Sequence, residues 1–235
     1  MIASPRLRLL VSARNQEEAL AAASAGADLI DLKEPRAGSL GGLPPAAIRP
    51  IVAALRKRDP LQVVSATIGD LPGEQREEIV DAVHAVADCG VDYVKVGVQP
   101  GPGARALLQA LARCDTQVVP VLLADRGLDL PLVRLALSLP FPVLMLDTAD
   151  KTAGSLLDCV DEDSLRRFVQ QTRRAGRLAG MAGALRFEHL GPLWRLAPDI
   201  AGFRSAVCAG KRTGELDPAR VRELASRFRG ERSAW

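Results

Sequence analysis

Aromatic residues are scarce in this sequence, since phenylalanine, tryptophan and tyrosine together make up 3% of its 235 residues. Proteins that bind single-stranded nucleic acid stack the bases on aromatic side chains, and this composition offers no such platform. The formal net charge is only +3, and no basic run has the density of a nucleic-acid-binding arm. We therefore do not expect nucleic acid as a partner.

Cysteine motifs, metal-binding spacings and long apolar runs are also missing. The four cysteines lie far apart without a Cys-x-x-Cys pair, so we expect reduced thiols. No spacing of His, Asp and Glu indicates a metal site, and no Gly-x-Gly-x-x-Gly segment follows the first predicted strand, so neither a metal nor a cofactor is expected. No segment has the length of a transmembrane helix, and the first residues lack the apolar stretch of a signal peptide. We expect a cytoplasmic protein that does not associate with membranes.

Short β-rich segments alternate with longer amphipathic segments eight times along the chain. Strands are predicted at residues 7–13, 28–33, 62–68, 92–98, 117–124, 142–147, 178–184 and 199–207, and helices at residues 16–24, 45–57, 74–89, 103–113, 130–138, 162–175, 188–196 and 218–228. Several strand segments are almost continuously apolar, which is typical of parallel strands covered by helices. Eight such units in a chain of this length predict one closed (β/α)8 TIM barrel, an α/β fold in which residues 1–235 form a single catalytic domain.

Lysine is uncommon, because only five of the 31 basic residues are lysine and 26 are arginine. Arginine stays protonated in proteins, whereas lysine can lose its proton and act as a nucleophile or a proton carrier. Lys57 ends a predicted helix and Lys211 follows the last strand, so neither position suggests chemistry. The other three are Lys33 at the end of strand two, Lys95 in the C-terminal part of strand four and Lys151 just after strand six.

These three lysines and two aspartates predict an active site at one end of the barrel. Side chains from alternate strands share a layer in such barrels, and active sites lie at the C-terminal ends of the strands. Asp31 and Lys33 are two residues apart and point the same way, and Asp147 ends strand six before Lys151. Clustered ammonium groups lower one another's pKa, which frees an amine to attack a carbonyl, while carboxylates transfer protons. The alternative is a set of ion pairs that only fills the barrel.

Small residues at the ends of strands seven and eight predict a phosphate site. Gly183 and Ala184 follow strand seven, and Arg204 and Ser205 lie near the end of strand eight. Barrels commonly bind phosphate through the backbone N–H groups of these two loops. The alternative is that small residues are needed there for close packing.

Two further features have both a functional and a structural interpretation. Ser65 and Thr67 share one face of strand three, and their hydroxyls either enter the pocket or fill the barrel. The glycine-rich segment 38–42 follows Lys33 directly. It is a mobile flap over a bound substrate, a loop that contacts phosphate, or a plain flexible connection.

Several segments around these residues match a known pattern. They are residues 30–35 (Ile-Asp-Leu-Lys-Glu-Pro), 64–70 (Val-Ser-Ala-Thr-Ile-Gly-Asp), 93–97 (Tyr-Val-Lys-Val-Gly) and 146–148 (Leu-Asp-Thr) followed by Lys151. Through them the chain resembles the (5-formylfuran-3-yl)methyl phosphate synthases, and the resemblance extends from about residue 9 to residue 210. The Asp-x-Lys and Ser-Ala-Thr-Ile-Gly-Asp segments are specific to that family.

The resemblance implies a reaction and a set of roles. The family joins two molecules of glyceraldehyde 3-phosphate into a furan aldehyde phosphate, with loss of one phosphate and two waters, and the product feeds assembly of methanofuran or a related one-carbon carrier. By resemblance, Lys33 forms the Schiff base and Lys95 accepts a proton. Asp31, Asp147 and Lys151 are their acid–base partners, and the expected partners are a small triose phosphate and further copies of the chain in a homo-oligomer.

Two other functions remain open at the level of the sequence. A class I aldolase acting on sugar phosphates would use the same lysine chemistry, but it would give a reversible aldol product instead of a furan. A non-catalytic subunit that binds a phosphorylated metabolite would bind without turnover and would form no imine that borohydride can trap. The second is disfavoured because simple binding of phosphate needs only charge, which arginine supplies.

Overall fold

The computed structural model describes residues 6–150 and 154–230 and shows a closed barrel of eight parallel strands in chain order. The strands are β1 Arg8–Ala13, β2 Leu29–Leu32, β3 Val63–Thr67, β4 Tyr93–Val98, β5 Val118–Leu123, β6 Val143–Asp147, β7 Leu178–Met181 and β8 Ile200–Phe203. β1 pairs with both β2 and β8, which closes the sheet and leaves no free edge. The predicted (β/α)8 fold is confirmed.

Helices follow the strands and cover the outside of the barrel. They are α1 Gln16–Ser24, α2 Pro45–Arg58, α3 Arg76–Ala87, α4 Ala104–Leu111, α5 Leu130–Ser138, α6 Leu156–Cys159, α7 Glu162–Arg174, α8 Leu190–Leu196 and α9 Pro218–Gly230. Polar side chains define several starts: Asn15 accepts the N–H of Glu18 at 2.9 Å to cap α1, and Asp161 accepts that of Ser164 at 2.8 Å to cap α7. Within the described residues, no helix combines the length and apolar character needed to cross a membrane.

Strand side chains alternate between two buried layers. On β1, Leu9 and Val11 pack outward against the helices, in the larger apolar cluster. Leu10 belongs to a second cluster inside the barrel, together with Val121 of β5 and Met145 of β6. This alternation follows from the period of two along a strand, and it turns every second residue toward the interior, where the site lies.

Two predicted strands extend three or more residues beyond the end of those observed, whereas the other strand ends agree within one residue. The apolar residues 182–184 extend the pattern of β7, but the chain turns at Gly183 and Ala184, whose φ angles are 103° and 47°. Beyond β8, Arg204 leaves the extended conformation with φ −134° and ψ −59°, and Ser205–Val207 form a 3-10 turn. In both cases the residues that turn at the mouth of the barrel are apolar enough for the sequence pattern to predict a longer strand.

Two helical features also differ from the prediction. The short helix α6 was missed, because its four residues give no measurable period. The helix predicted at residues 188–196 begins instead as a 3-10 turn, Phe187–His189, and continues as α8. The other helix ends fall within three residues of those predicted.

Candidate active site

A small cavity opens at the C-terminal end of the barrel. Its lining residues are Leu10, Ser12, Asp31, Lys33, Lys95, Asp147, Ala182, Gly183, Ala184, Leu185, Gly202, Phe203, Arg204, Ser205 and Arg212. Two acidic and four basic side chains therefore share a small space whose walls come from β1, β2, β4, β6 and β8 and from the loops after β2, β7 and β8. A cavity with converging charged groups is where a ligand site is expected in this fold.

Strand register places two hydroxyls around the carboxylate of Asp31. Ser12 on β1 and Ser65 on β3 are the register partners of Asp31 on β2, so the three side chains lie side by side. The Ser65 hydroxyl donates to Oδ1 at 2.7 Å, and the Ser12 hydroxyl donates to Oδ2 at 3.2 Å. Both carboxylate oxygens are thus engaged by protein, which fixes the orientation of a group that is fully buried.

Asp31 forms an ion pair with Lys95, whose Nζ lies 3.0 Å from Oδ2. Both side chains are almost completely buried. Burial alone would raise the pKa of Asp31, but the charges of Lys95 and then Lys33, with the Ser65 hydrogen bond, hold it below the ordinary value. The carboxylate is therefore ionised at neutral pH in an interior with no solvent contact.

Lys95 lies third among the six residues of β4, nearer the start of the strand than predicted. It still reaches the cavity because neighbouring strands of a barrel are staggered, and its register partner on β3 is the terminal residue Thr67. Lys33 follows the last residue of β2 and is 7% exposed, and its Nζ donates to the Ser39 carbonyl at 3.4 Å. Lys95 thus forms an ion pair with Asp31, and the charge of Lys33 also acts on that carboxylate.

Asp147 ends β6 and is 2% exposed. Its Oδ1 accepts the N–H of Thr148 at 2.7 Å, and the side chain lines the same cavity as Asp31, Lys33 and Lys95. Lys151 lies outside the described residues. The structure therefore brings together two of the three predicted amines and both predicted carboxylates.

The loops after β7 and β8 form the opposite wall of the cavity. Gly183 has a φ of 103°, and a Cβ there would lie 3.1 Å from the backbone nitrogen of Thr148, so a side chain would be both strained and crowded. Gly183, Ala184 and Ser205 all line the cavity. In the part of the chain that the structure describes, no protein acceptor is recorded for their backbone N–H groups, which leaves these donors available to an anion.

Ser65 and Thr67 are buried beneath the cavity instead of lining it. Ser65 is 2% exposed and uses its hydroxyl on Asp31. Thr67 is fully buried and donates to the carbonyl of Gly41 at 3.0 Å. The Ser65 hydroxyl thus orients Asp31, whereas the Thr67 hydroxyl holds the segment that follows β2.

Arg204 is fully occupied by protein acceptors. It donates to both carboxylate oxygens of Glu18 at 2.5 and 3.2 Å, and to the carbonyls of Ser12 at 3.0 Å, Arg212 at 2.9 Å and Gly214 at 2.7 Å. A guanidinium has five N–H donors, so none remains for a ligand. At this residue of the predicted phosphate site, the side chain holds the loop after β8 to β1 and α1.

The glycine-rich segment 38–42 is packed into the barrel mouth. Leu40 is fully buried in the inner apolar cluster, and its N–H donates to Asp70 Oδ2 at 3.2 Å. Gly97 of β4 faces it so closely that a Cβ there would lie 2.7 Å from Leu40 Cδ1. The segment therefore packs against one side of the barrel mouth through Leu40.

Arg212 is a cavity residue that the sequence did not single out. Its Nη2 donates to the carbonyl of Gly38 at 2.8 Å, so it bridges from the loop after β8 to the loop after β2. The only available signal was its place in the loop after the last strand, where such barrels commonly bind phosphate.

A (β/α)8 barrel with buried lysines and carboxylates at the C-terminal ends of its strands is an enzyme architecture. The sequence profile of one family, described as 4-HFC-P synthase, matches residues 9–225. The chain belongs to this family.

Relatives and solved structures agree with this membership. A Methylorubrum extorquens protein, provisionally named (5-formylfuran-3-yl)methyl phosphate synthase, is 41% identical over 231 residues, which cover 97% of this chain and 94% of the relative. The (5-formylfuran-3-yl)methyl phosphate synthase of Methanosarcina barkeri is 33% identical and is covered to 98%, with 94% of this chain matched. Phosphoribosyl anthranilate isomerase from Thermus thermophilus is similar in fold alone, with a TM-score of 0.68, 19% identity and 96% of this chain and 100% of that chain covered.

Proposed function

We propose that this enzyme condenses two molecules of glyceraldehyde 3-phosphate into (5-formylfuran-3-yl)methyl phosphate, with release of one phosphate and two waters. The main support is one observation: the amines of Lys33 and Lys95 line a single cavity with the buried carboxylate of Asp31. Family membership supports the same activity, because the relatives carry the name of this synthase. We also propose that the reaction takes place in the cytoplasm and serves the synthesis of methanofuran or a related one-carbon carrier.

The chemistry requires an amine that can form an imine. One triose phosphate isomerises to its ketone, the ketone is captured by lysine as an imine, and loss of a neighbouring proton gives a carbanion equivalent that adds to the second aldehyde. The protonated imine nitrogen accepts the electron pair while the carbanion forms, which stabilises it. Lysine supplies such a nitrogen, whereas the guanidinium of arginine stays protonated and cannot.

We assign the imine to Lys33 and proton transfer to Lys95. Lys33 lines the cavity at the end of β2, where its amine can meet a carbonyl carbon. Lys95 lies 3.0 Å from the Asp31 carboxylate, so a proton that its amine takes up can be stabilised by that carboxylate or passed to it. Asp147 and Lys151 are proposed as further acid–base groups on the β6 side of the site.

The phosphate groups require donors on the opposite wall. The backbone N–H groups of Gly183, Ala184 and Ser205 line that wall and suit an anion. We propose that they bind one phosphate of the substrate.

Incubation of the purified protein with glyceraldehyde 3-phosphate tests the activity. We expect a furan chromophore in the ultraviolet and one released phosphate per furan formed. A reversible aldol adduct without a furan would replace the proposal with a sugar-phosphate aldolase, and binding without turnover would rule out catalysis.

Borohydride reduction during turnover, followed by peptide mass mapping, tests the assignment of the imine. The adduct should be found on Lys33, persist in Lys95→Ala and disappear in Lys33→Ala. Lys57→Ala is the matched control, because Lys57 is exposed at the end of α2, far in sequence from the cavity residues. An adduct mainly on Lys95 or Lys151 would reverse the assignment, and turnover without any adduct would exclude a Schiff base.

A further inference from the structure

Arg212 lies at the cavity with most of its guanidinium uncommitted. It is half-buried, and one bond from Nη2 to the Gly38 carbonyl fixes its position. Within the described residues, no other protein acceptor is recorded for its guanidinium. A planar group with five donors can therefore keep this bond and still present its other edge to a ligand.

The surroundings of Arg212 suit an anion that binds reversibly. Burial lowers its pKa, while the carboxylates of Asp147 and Asp70 raise it and Arg204 lowers it further. The side chain remains protonated at neutral pH all the same. The guanidinium is partly removed from water, and within the described residues no carboxylate forms an ion pair with it, so a phosphate can take that place.

Its two basic neighbours along the chain cannot take this role. Arg204 has all five donors engaged, as described above. Lys211 is exposed and does not line the cavity. Among the arginines that the structure describes around the cavity, Arg212 alone has donors to offer.

We propose that Arg212 binds a phosphate group of the substrate and makes the enzyme specific for phosphorylated aldehydes. The identity of that substrate rests on the proposed function, whereas the anion site itself does not. Gly183, Ala184 and Ser205 line the same cavity, so the guanidinium and the backbone donors can act on phosphate together. The Gly38 carbonyl that Arg212 bonds is adjacent in sequence to the Ser39 carbonyl that accepts Lys33 Nζ, which places the anion site beside the proposed nucleophile.

Binding of inorganic phosphate, measured by calorimetry, tests the anion site without any turnover. We expect Arg212→Ala to weaken phosphate binding at least about tenfold, the scale of a charge-assisted hydrogen bond. Lys211→Ala is the matched control, because it removes the same charge from the neighbouring position, and it should bind phosphate as the wild type does. Equal phosphate binding by wild type and Arg212→Ala would overturn the proposal.

Arg212→Gln separates phosphate binding from the structural bond to Gly38. The glutamine amide keeps an N–H donor at this position on a shorter side chain, but it carries no charge. We expect Arg212→Gln to bind phosphate as weakly as Arg212→Ala does, and Arg212→Lys to recover part of the affinity. Wild-type phosphate binding by Arg212→Gln would show that only the bond to Gly38 matters, and would overturn the proposal.

Steady-state kinetics with glyceraldehyde 3-phosphate and with unphosphorylated glyceraldehyde test the specificity. In Arg212→Gln the ratio of kcat/KM for the two aldehydes should fall at least about tenfold, mainly through a higher KM for the phosphorylated one. A loss of equal size for both aldehydes would contradict a role in phosphate recognition. If the wild type forms no furan but binds phosphate through Arg212, the proposed function fails while the anion site stands.

Discussion

At the scale of single residues, Asp31 shows how a charge is kept in the interior of the barrel. Its two oxygens receive the hydroxyls of Ser12 and Ser65 and the ammonium of Lys95. Removing one partner of such a buried ion pair lowers the free energy of unfolding by far more than the intact pair contributes to it. The reason is that the remaining charge stays buried without a partner. The site and the stability of the fold therefore depend on the same carboxylate.

Asp31→Asn should lower the free energy of unfolding by about 3–5 kcal/mol, since it leaves the Lys95 ammonium buried without its carboxylate. Urea denaturation measures this change. Asp163→Asn is the control: Asp163 is 76% exposed and pairs with Arg166 at the surface, so its loss should cost at most about 1 kcal/mol. A cost for Asp31→Asn no larger than that of the control would mean that the ion pair is not formed in solution.

The same carboxylate predicts a pH dependence. Because the folded-state pKa of Asp31 is lowered, its contribution to stability is complete above the unfolded-state value of about 3.9 and is lost as the pH falls below it. Stability curves of the wild type should therefore decline in this acidic range more steeply than those of Asp31→Asn. Parallel curves would contradict the lowered pKa.

Replacing Lys33 or Lys95 with arginine tests whether the site needs amines or only positive charge. Each variant should fold and lose at least about a hundredfold in kcat/KM for glyceraldehyde 3-phosphate, the scale of nucleophilic and acid–base contributions. Circular dichroism checks the fold. Near-normal activity in either variant would remove that lysine from the mechanism.

At the scale of elements, the sequence predicted the regular structure better than the mouth of the barrel. Period and apolar content located all eight strands, since each buries an apolar surface that the pattern records. Period and apolar content could not show that the Arg204 side chain bonds Glu18. The two residues are 186 positions apart, and such a contact leaves no pattern in the sequence near either of them. Arg212 was not predicted for the same reason, because it lies beside Gly38 only once the barrel has closed.

The Glu18–Arg204 ion pair holds the loop after β8 to α1. Glu18 accepts Arg204 at two oxygens and also the N–H groups of Arg14 and Leu216. Burial alone would raise the pKa of Glu18, but the hydrogen bonds and charges of Arg204 and Arg14 lower it by more. The pKa therefore lies below its ordinary value, and the carboxylate stays ionised. The pair thus joins the first helix to a segment nearly 200 residues later in the chain.

Glu18→Gln should destabilise the protein by about 3–5 kcal/mol, because the Arg204 charge is then buried without a carboxylate. The free energy of unfolding in urea measures the effect. Glu17→Gln changes the neighbouring residue, which is exposed, and should stay within about 0.5 kcal/mol of the wild type. Equal stability of the two variants would mean that Arg204 finds other compensation.

At the scale of the whole molecule, the last helix packs where the barrel closes. Phe228 of α9 is 3% exposed and meets Phe203 of β8 edge-on, with ring centroids 5.8 Å apart. Trp194 of α8 packs on its other side at 6.0 Å. The C-terminal helix thus ties the closing strand to the outer layer of helices.

Phe228→Ala should lower the free energy of unfolding by about 3–5 kcal/mol, the usual cost of truncating a buried phenylalanine. Loss of stability should appear in one cooperative transition, since α9 shares its core with β8 and α8. Arg222→Ala, on the exposed face of the same helix, should have little effect. Selective melting of α9 ahead of the rest would indicate that the helix is an independent unit.

Leu40 and Gly97 occupy one shared volume at the mouth of the barrel. The space that a side chain at position 97 would need is already filled by Leu40, which is fully buried. In related chains a larger residue at position 97 should therefore be accompanied by a smaller residue at position 40. A side chain at position 97 requires that position 40 has first become smaller, whereas a smaller residue at position 40 needs no matching change, so the two substitutions can occur in only one order.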